Sequence, residues 1–153
     1  MVVRVQAEDF DVGHEFARFT QGRTDLGGVA LFAGLVRADQ GSVTAMTLEH
    51  YPGMTERQLE AIEAEARARW PLDDALIVHR VGRLLPGDRI VLVMTASAHR
   101  KDSLDACHFL IDWLKTKAPF WKFEEGSSGG KWVDAKETDD AAANRWGLRS
   151  DQG

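Results

Sequence analysis

The sequence predicts a single α+β domain, and three observations carry that prediction. Its 153 residues are too few for two domains of ordinary size. Hydrophobic residues make up 44% and charged residues 28%, so a chain of this length can bury about 70% of the surface its unfolded form exposes. Strand-like runs and helix-spaced runs are mixed along the chain, with no internal repeat and no long linker between them. The domain is expected over residues 1–146, with 147–153 as a frayed tail.

Residues 2–7 read as an opening strand, and Asp11 is placed to cap a short helix through Phe16 and Phe19, broken at Gln21-Gly22-Arg23. Gly27-Gly28 then releases the chain into residues 29–37, an apolar run too continuous for a half-exposed strand, so a buried strand is expected. Residues 39–42 form a turn cluster, and the alternation over 43–49 makes that stretch the hairpin partner. A Thr55-x-x-Gln58 capping box opens a helix with Leu59, Ile62 and Ala66 at helical spacing, ending near Trp70-Pro71. Residues 76–81 and 89–96 form a second hairpin through Leu85-Pro-Gly-Asp88, where proline presets the turn and glycine permits a positive φ. Leu104, Cys107, Ile111 and Leu114 recur at three- and four-residue intervals, with Leu110 widening the stripe, until Pro119 ends the helix. Beyond it the pattern predicts a short strand over 120–124, a flexible glycine loop over 126–130, a return strand over 131–135 and a last short helix over 137–144.

Lys+Arg 19 against Asp+Glu 24 leaves a net charge of −5, which argues against broad nucleic-acid binding, since that requires a basic surface to replace counterions. The first residues alternate in polarity and turn acidic, unlike an export signal. The apolar run 90–96 falls far short of the about 20 residues that cross a bilayer. A soluble, cytoplasmic protein with no membrane partner is expected. The single cysteine, Cys107, cannot form an internal disulfide or a thiolate zinc cage, and its place on the apolar stripe makes it a core residue rather than a nucleophile. His79-Arg80 has no second ligand at metal spacing, and no Walker loop or Gly-x-Gly-x-x-Gly occurs. No metal and no cofactor are expected.

The residues suited to chemistry are concentrated between positions 99 and 122, where five Lys and Arg stand against three Asp. His99 and Arg100 lie at the mouth of a helix, where backbone amides favour a phosphate or carboxylate; a solvated helix start is the plain alternative. Lys115 and Lys122 flank a proline-directed corner, so their side chains are expected to converge on one pocket. A lysine packed there against Phe120, Trp121 and other cations has its pKa pushed down, which turns an amine into a proton acceptor or nucleophile. Arg37 ends a glycine-containing strand and is placed for bidentate anion binding or for pairing with Asp39. Glu49-His50-Tyr51-Pro-Gly53 is read as a loop scaffold or an active-site loop.

Taken in order, Phe32-Ala-Gly-Leu-Val-Arg37, Leu48-Glu-His-Tyr-Pro-Gly-Met54, His79-Arg-Val-Gly82 with Pro86-Gly-Asp88, Ser97-Ala-His-Arg100 and Lys115-Thr-Lys-Ala-Pro-Phe-Trp-Lys122 resemble the catalytic large subunit of molybdopterin synthase. The resemblance runs over residues 2–146, nearly the whole chain. It implies an α/β hammerhead fold with an additional small antiparallel β subdomain, and a dimer of large subunits within a heterotetramer. A small ubiquitin-like sulfur carrier binds at each end and inserts a C-terminal Gly-Gly tail ending in a thiocarboxylate. The implied activity is transfer of two such sulfurs to cyclic pyranopterin monophosphate, forming the dithiolene of molybdopterin in molybdenum cofactor biosynthesis. By the same resemblance Lys115 is the essential lysine, in general acid/base work or a transient covalent link, and Lys122 is a second pocket lysine. Arg37, His99 and Arg100 are the anion-binding set, contributed in part by the neighbouring subunit, and Lys136 is a further substrate-binding position where relatives often carry arginine.

Two other readings use the same residues. A non-catalytic module would capture the Gly-Gly tail of a ubiquitin-like partner with Lys115 and Lys122 as charge partners only. A phosphate-ester hydrolase would use His99 as general base, without a metal cluster or activated nucleophile to support it.

Overall fold

The computed structural model describes residues 2–127, 129–133 and 144–147. The larger of two sheets contains β1 (Val2–Gln6), β2 (Gly28–Leu35), β4 (Leu72–Arg80) and β6 (Arg89–Ser97), in the order β1-β4-β6-β2. Only the β1–β4 pair is parallel. The smaller sheet is antiparallel and contains β3 (Ala45–His50), β5 (Gly82–Leu84), β7 (Phe120–Gly126) and β8 (Gly129–Val133), in the order β5-β3-β7-β8. Three helices complete the α+β fold: α1 (Val12–Thr20), α2 (Met54–Arg69) and α3 (Arg100–Thr116).

The two-residue alternation of a strand assigns each side chain of β4 and β6 to one of two cores. Ile77, Val91 and Val93 face α2 and α3, where Leu59, Ile62, Ala66, Phe109 and Leu110 close the main core. Leu76, Val78, Leu92 and Met94 face the other way, against Phe10 and the Val12 and Phe19 side chains of α1. Because β4 and β6 are covered on both faces, their sequences are nearly continuous apolar runs. The Asp11 carboxylate caps α1 by accepting from the His14 N–H at 2.7 Å, as the sequence predicts.

Several expectations are corrected. Residues 29–37 are not a buried strand: β2 is an edge, and Leu31 and Leu35 are 40% and 56% exposed. The run is apolar because Ala30 and Phe32 serve one core while Val29 and Ala33 serve the other. β3 is not the hairpin partner of β2. Asp39 and Gln40 both take left-handed φ values, +50° and +56°, and the chain departs into the smaller sheet. The cap of α2 lies at Gly53, whose N–H is accepted by Glu56 at 2.6 Å, and Thr55 is fully buried in the first turn. The second hairpin is present as β4–β6, with β5 inserted to join the other sheet.

On α3, Leu104 is 58% exposed, and the sheet-facing side begins instead with Ser103, Ala106 and Cys107. Small residues are needed there because the helix start lies close on the sheet. A Cβ on Gly28 would lie 3.3 Å from Arg100 Cα, and Thr95 donates its hydroxyl to the Ser103 carbonyl at 2.6 Å. The glycine stretch is a tight hairpin rather than an open loop, with Gly126 opposite Gly129 and Gly129 at φ +99°. The helix expected over 137–144 and the tail lie almost wholly outside the described residues. Trp146, which is described, donates its indole N–H to Asp112 and packs edge-on against Trp70 and Phe109.

Candidate active site

The corner between Lys115 and Lys122 is built by hydrogen bonds that stop a helix and start a strand. At the end of α3 the Lys117 N–H reaches the Trp113 carbonyl at 2.7 Å, Pro119 supplies no donor, and the Phe120 N–H turns back to Ala118 at 2.8 Å. Thr55 ties this corner to the start of α2, its hydroxyl donating to the Pro119 carbonyl at 3.4 Å and accepting from the Tyr51 N–H at 3.1 Å. β7 then pairs antiparallel with β3, placing Phe120 opposite His50 and Lys122 opposite Leu48.

Lys115 and Lys122 do converge. Both line a cleft of about 490 Å³ between the two sheets, floored by Val36, Met46, Leu48, Ile90 and Leu114. Strand alternation sends Phe120, Lys122 and Glu124 into it, joined by Lys131 and Val133 from β8 and Arg37 from the rim. Four cations, Arg37, Lys115, Lys122 and Lys131, therefore share the cleft with two carboxylates, Asp39 and Glu124. Arg37 holds Asp39 at 3.3 Å and Lys122 holds Glu124 at 3.7 Å. In a chain of net charge −5 this is a local reversal of sign, suited to an anionic ligand.

Lys115 is itself exposed. Trp121 is on the opposite face of β7 and lines no part of the cleft, being 48% exposed, so of the two aromatic rings expected beside Lys115 only Phe120 shares the cleft with it. His79 at the end of β4 also lines the cleft and is only 7% exposed. Its ring stacks on Phe120 at 3.9 Å with a 14° interplanar angle, and its Nδ1 lies 2.8 Å from the Arg80 carbonyl. Burial, then the nearby charges of Lys115 and His50, push its pKa down to about 4. His50 is in turn 3.6 Å from Glu56, which also caps α2.

His99 and Arg100 are not in this cleft. They lie at the start of α3, a helix of 17 residues, so along its axis about 24 Å separates them from Lys115. Lys136 lies outside the described residues. Cys107 is buried, as expected, and burial pushes its thiol up to about 12, which removes it as a nucleophile. Among the described residues no group of three His, Cys, Asp or Glu could hold a metal ion, and no helix is long and apolar enough to cross a membrane.

Sequence reasoning missed Lys131 and gave His79 only a metal-ligand test. Lys131 becomes legible once the 126–129 turn is known to be tight, because antiparallel pairing then places it opposite Glu124, on the face that Lys122 shares. His79 carried a signal in its motif, but its neighbour Phe120 is contributed by a strand 41 residues away.

Residues 5–117 match the family model described as MoaE protein. The molybdopterin synthase catalytic subunit of Mesorhizobium japonicum is 54% identical over 147 residues, 94% of this chain and 92% of the relative. A molybdopterin biosynthesis MoaE protein from Burkholderia ambifaria has the same fold with a TM-score of 0.83 at 53% identity, over 97% of this chain and 99% of that one. The crystal structure of molybdopterin synthase from Staphylococcus aureus matches with a TM-score of 0.77 at 32% identity, over 85% and 95%. A family match spanning β1 to the end of α3, together with relatives of about half identical sequence that cover the cleft-forming strands as well, places this chain in the MoaE protein family.

Proposed function

We propose that this chain is the catalytic subunit of a molybdopterin synthase, a sulfurtransferase of the cytoplasm that moves two sulfurs, one from each of two thiocarboxylated carrier tails, to cyclic pyranopterin monophosphate. The observation that carries the proposal is the cleft in which Arg37, Lys115, Lys122 and Lys131 outnumber Asp39 and Glu124. Both reactants are anionic, the pterin at its phosphate and the carrier at its terminal thiocarboxylate, and the cleft concentrates positive charge for both. The absence of a reactive thiol at Cys107 fits a reaction in which the sulfur arrives on another protein.

The exposed Lys115 is the group closest in kind to the chemistry. An inserted Gly-Gly tail covers it and displaces water, which strengthens each ion pair in the cleft. Lys115 is then the general acid/base or the transient covalent partner of the tail, and Lys122 holds substrate beside it. The tail returns as a carboxylate, water supplying the oxygen that takes the place of the departed sulfur. His99 and Arg100, too distant from their own Lys115, complete the anion site from the second copy of a dimer. Lys136 is assigned to substrate binding by the family resemblance.

Incubation with thiocarboxylated carrier and cyclic pyranopterin monophosphate, followed by mass spectrometry of both products, tests the reading. The expected products are a carrier carboxylate and a pterin that has gained two sulfurs. Lys115→Ala is expected to abolish transfer while leaving the circular dichroism spectrum and carrier binding intact. Activity retained within a few-fold would overturn the role of Lys115, and tail binding with no turnover in the unmodified protein would leave only a Gly-Gly-binding module.

A further inference from the structure

We propose that His79 is a positioning residue for Lys115: its ring, held flat on Phe120 and fixed as the Nδ1–H tautomer, offers the Nε2 lone pair as the acceptor that orients the lysine amine. The proposal rests on the reading of the cleft given above, and deepens it.

The tautomer follows from the bond that His79 makes. A carbonyl can only accept, so the nitrogen 2.8 Å from the Arg80 oxygen carries the hydrogen. In an uncharged ring, Nε2 is then a bare acceptor. The stack on Phe120, 3.9 Å between centroids and 14° from parallel, restrains the ring from turning. Phe120 lies between Lys115 and Lys122 in the corner, and His79 and Lys115 line the same cleft.

The surroundings keep the ring uncharged. Lys115 of α3, Lys122 of β7, Lys131 of β8 and Arg37 beyond β2 line the cleft against Asp39 and Glu124, and His50 of β3 acts on the ring from nearby. The Arg80 guanidinium is turned to the carbonyls of Ala7 and Arg89. This excess of positive charge adds to burial in disfavouring an imidazolium, consistent with a pKa near 4. A phenyl ring would pack on Phe120 equally well but offers no lone pair. An imidazole at a position 7% exposed therefore has a polar task.

Nitrogen-15 NMR of the full chain labelled at histidine reads the tautomer directly. The expected result is a neutral Nδ1–H ring from pH 5 to pH 9, with an Nε2 resonance that moves on Lys115→Met, a change confined to an exposed side chain. Two further variants separate packing from acceptor. His79→Phe keeps a stacked ring and removes the lone pair; it is expected to lower the midpoint pH for acylation of Lys115, read by peptide mass spectrometry, by about half a unit or more. It should also lower kcat about tenfold with KM changed less than about twofold, the pattern of lost alignment. His79→Gln restores an acceptor and is expected to recover the midpoint and most of kcat.

An Nε2–H tautomer, an Nε2 resonance unmoved by Lys115→Met, or a folded His79→Phe with the original labelling midpoint would each overturn the proposal. If His79→Phe does not fold, the Lys115→Met spectrum decides. The NMR and labelling arms contain neither pterin nor carrier, so they judge His79 even where sulfur transfer fails. Intact transfer beside an unmoved resonance would remove His79 alone.

Discussion

Burial redirects the chemistry of single residues in this chain, and Glu63 is the sharpest case outside the cleft. It is 4% exposed on α2, and its Oε2 has no hydrogen-bond partner among the described residues. Burial pushes its pKa up to about 7 from 4.5, against the pull of Arg67. The folded chain thus keeps this proton up to about pH 7, while the unfolded chain releases it near 4.5. The stability it contributes is fully present below pH 4.5 and is lost as pH rises through 7. Glu63→Gln is expected to raise stability at pH 8 by about 1 kcal/mol and to change little at pH 4, measured by chemical denaturation at both pH values. Cys107 and His79 obey the same rule of desolvation, the thiol held protonated and the imidazole held neutral. Cys107 was legible as core from its spacing on α3. The burial of Glu63 was hidden, because a carboxylate is expected on the outer face of an amphipathic helix, and it lies instead beside the buried Leu59, Ile62 and Ala66.

The elements around the cleft depend on a few buried polar ties. Thr55 is fully buried, and its hydroxyl bridges the Tyr51 N–H and the Pro119 carbonyl, joining α2 to the corner that aims Lys115 and Lys122. Thr55→Val keeps the shape and removes both bonds of the buried hydroxyl, so a loss of about 1–2 kcal/mol is expected in thermal denaturation, with a larger proportional loss in sulfur transfer than in carrier binding. Element type was largely readable: Asp11 with its helix, the stripe of α3 and the apolar runs of β4 and β6 follow from caps and periodicity. Partnership was not. The residues of β2 suit a buried strand, yet β2 is an edge, and β3 alternates as a hairpin partner should, yet pairs with β5 and β7. Local periodicity fixes which side chains share a face, whereas the choice of neighbour depends on backbone directions such as the left-handed pair Asp39–Gln40.

For the molecule as a whole, the decisive distance is the length of α3, which holds His99 and Arg100 about 24 Å from Lys115 of the same chain. If two copies share each site, Lys115→Ala and Arg100→Ala chains should complement each other. Each mixed dimer then has one intact site, and a statistical mixture should recover about a quarter of wild-type transfer activity. Either variant alone should be inactive, and a mixture as inactive as its components would place Arg100 outside the shared site. The order of motifs along the chain was enough to show the family resemblance and the α+β class and to single out Lys115, Lys122 and Arg37, which the fold brings to one cleft, since residue types and spacing are properties of the chain itself. The cleft's full membership was settled only by folding. Lys131, His79 and Phe120 meet because antiparallel register and ring stacking join strands remote in sequence, while the same rigid helix that carries His99, Arg100 and Lys115 keeps the first two apart from the third.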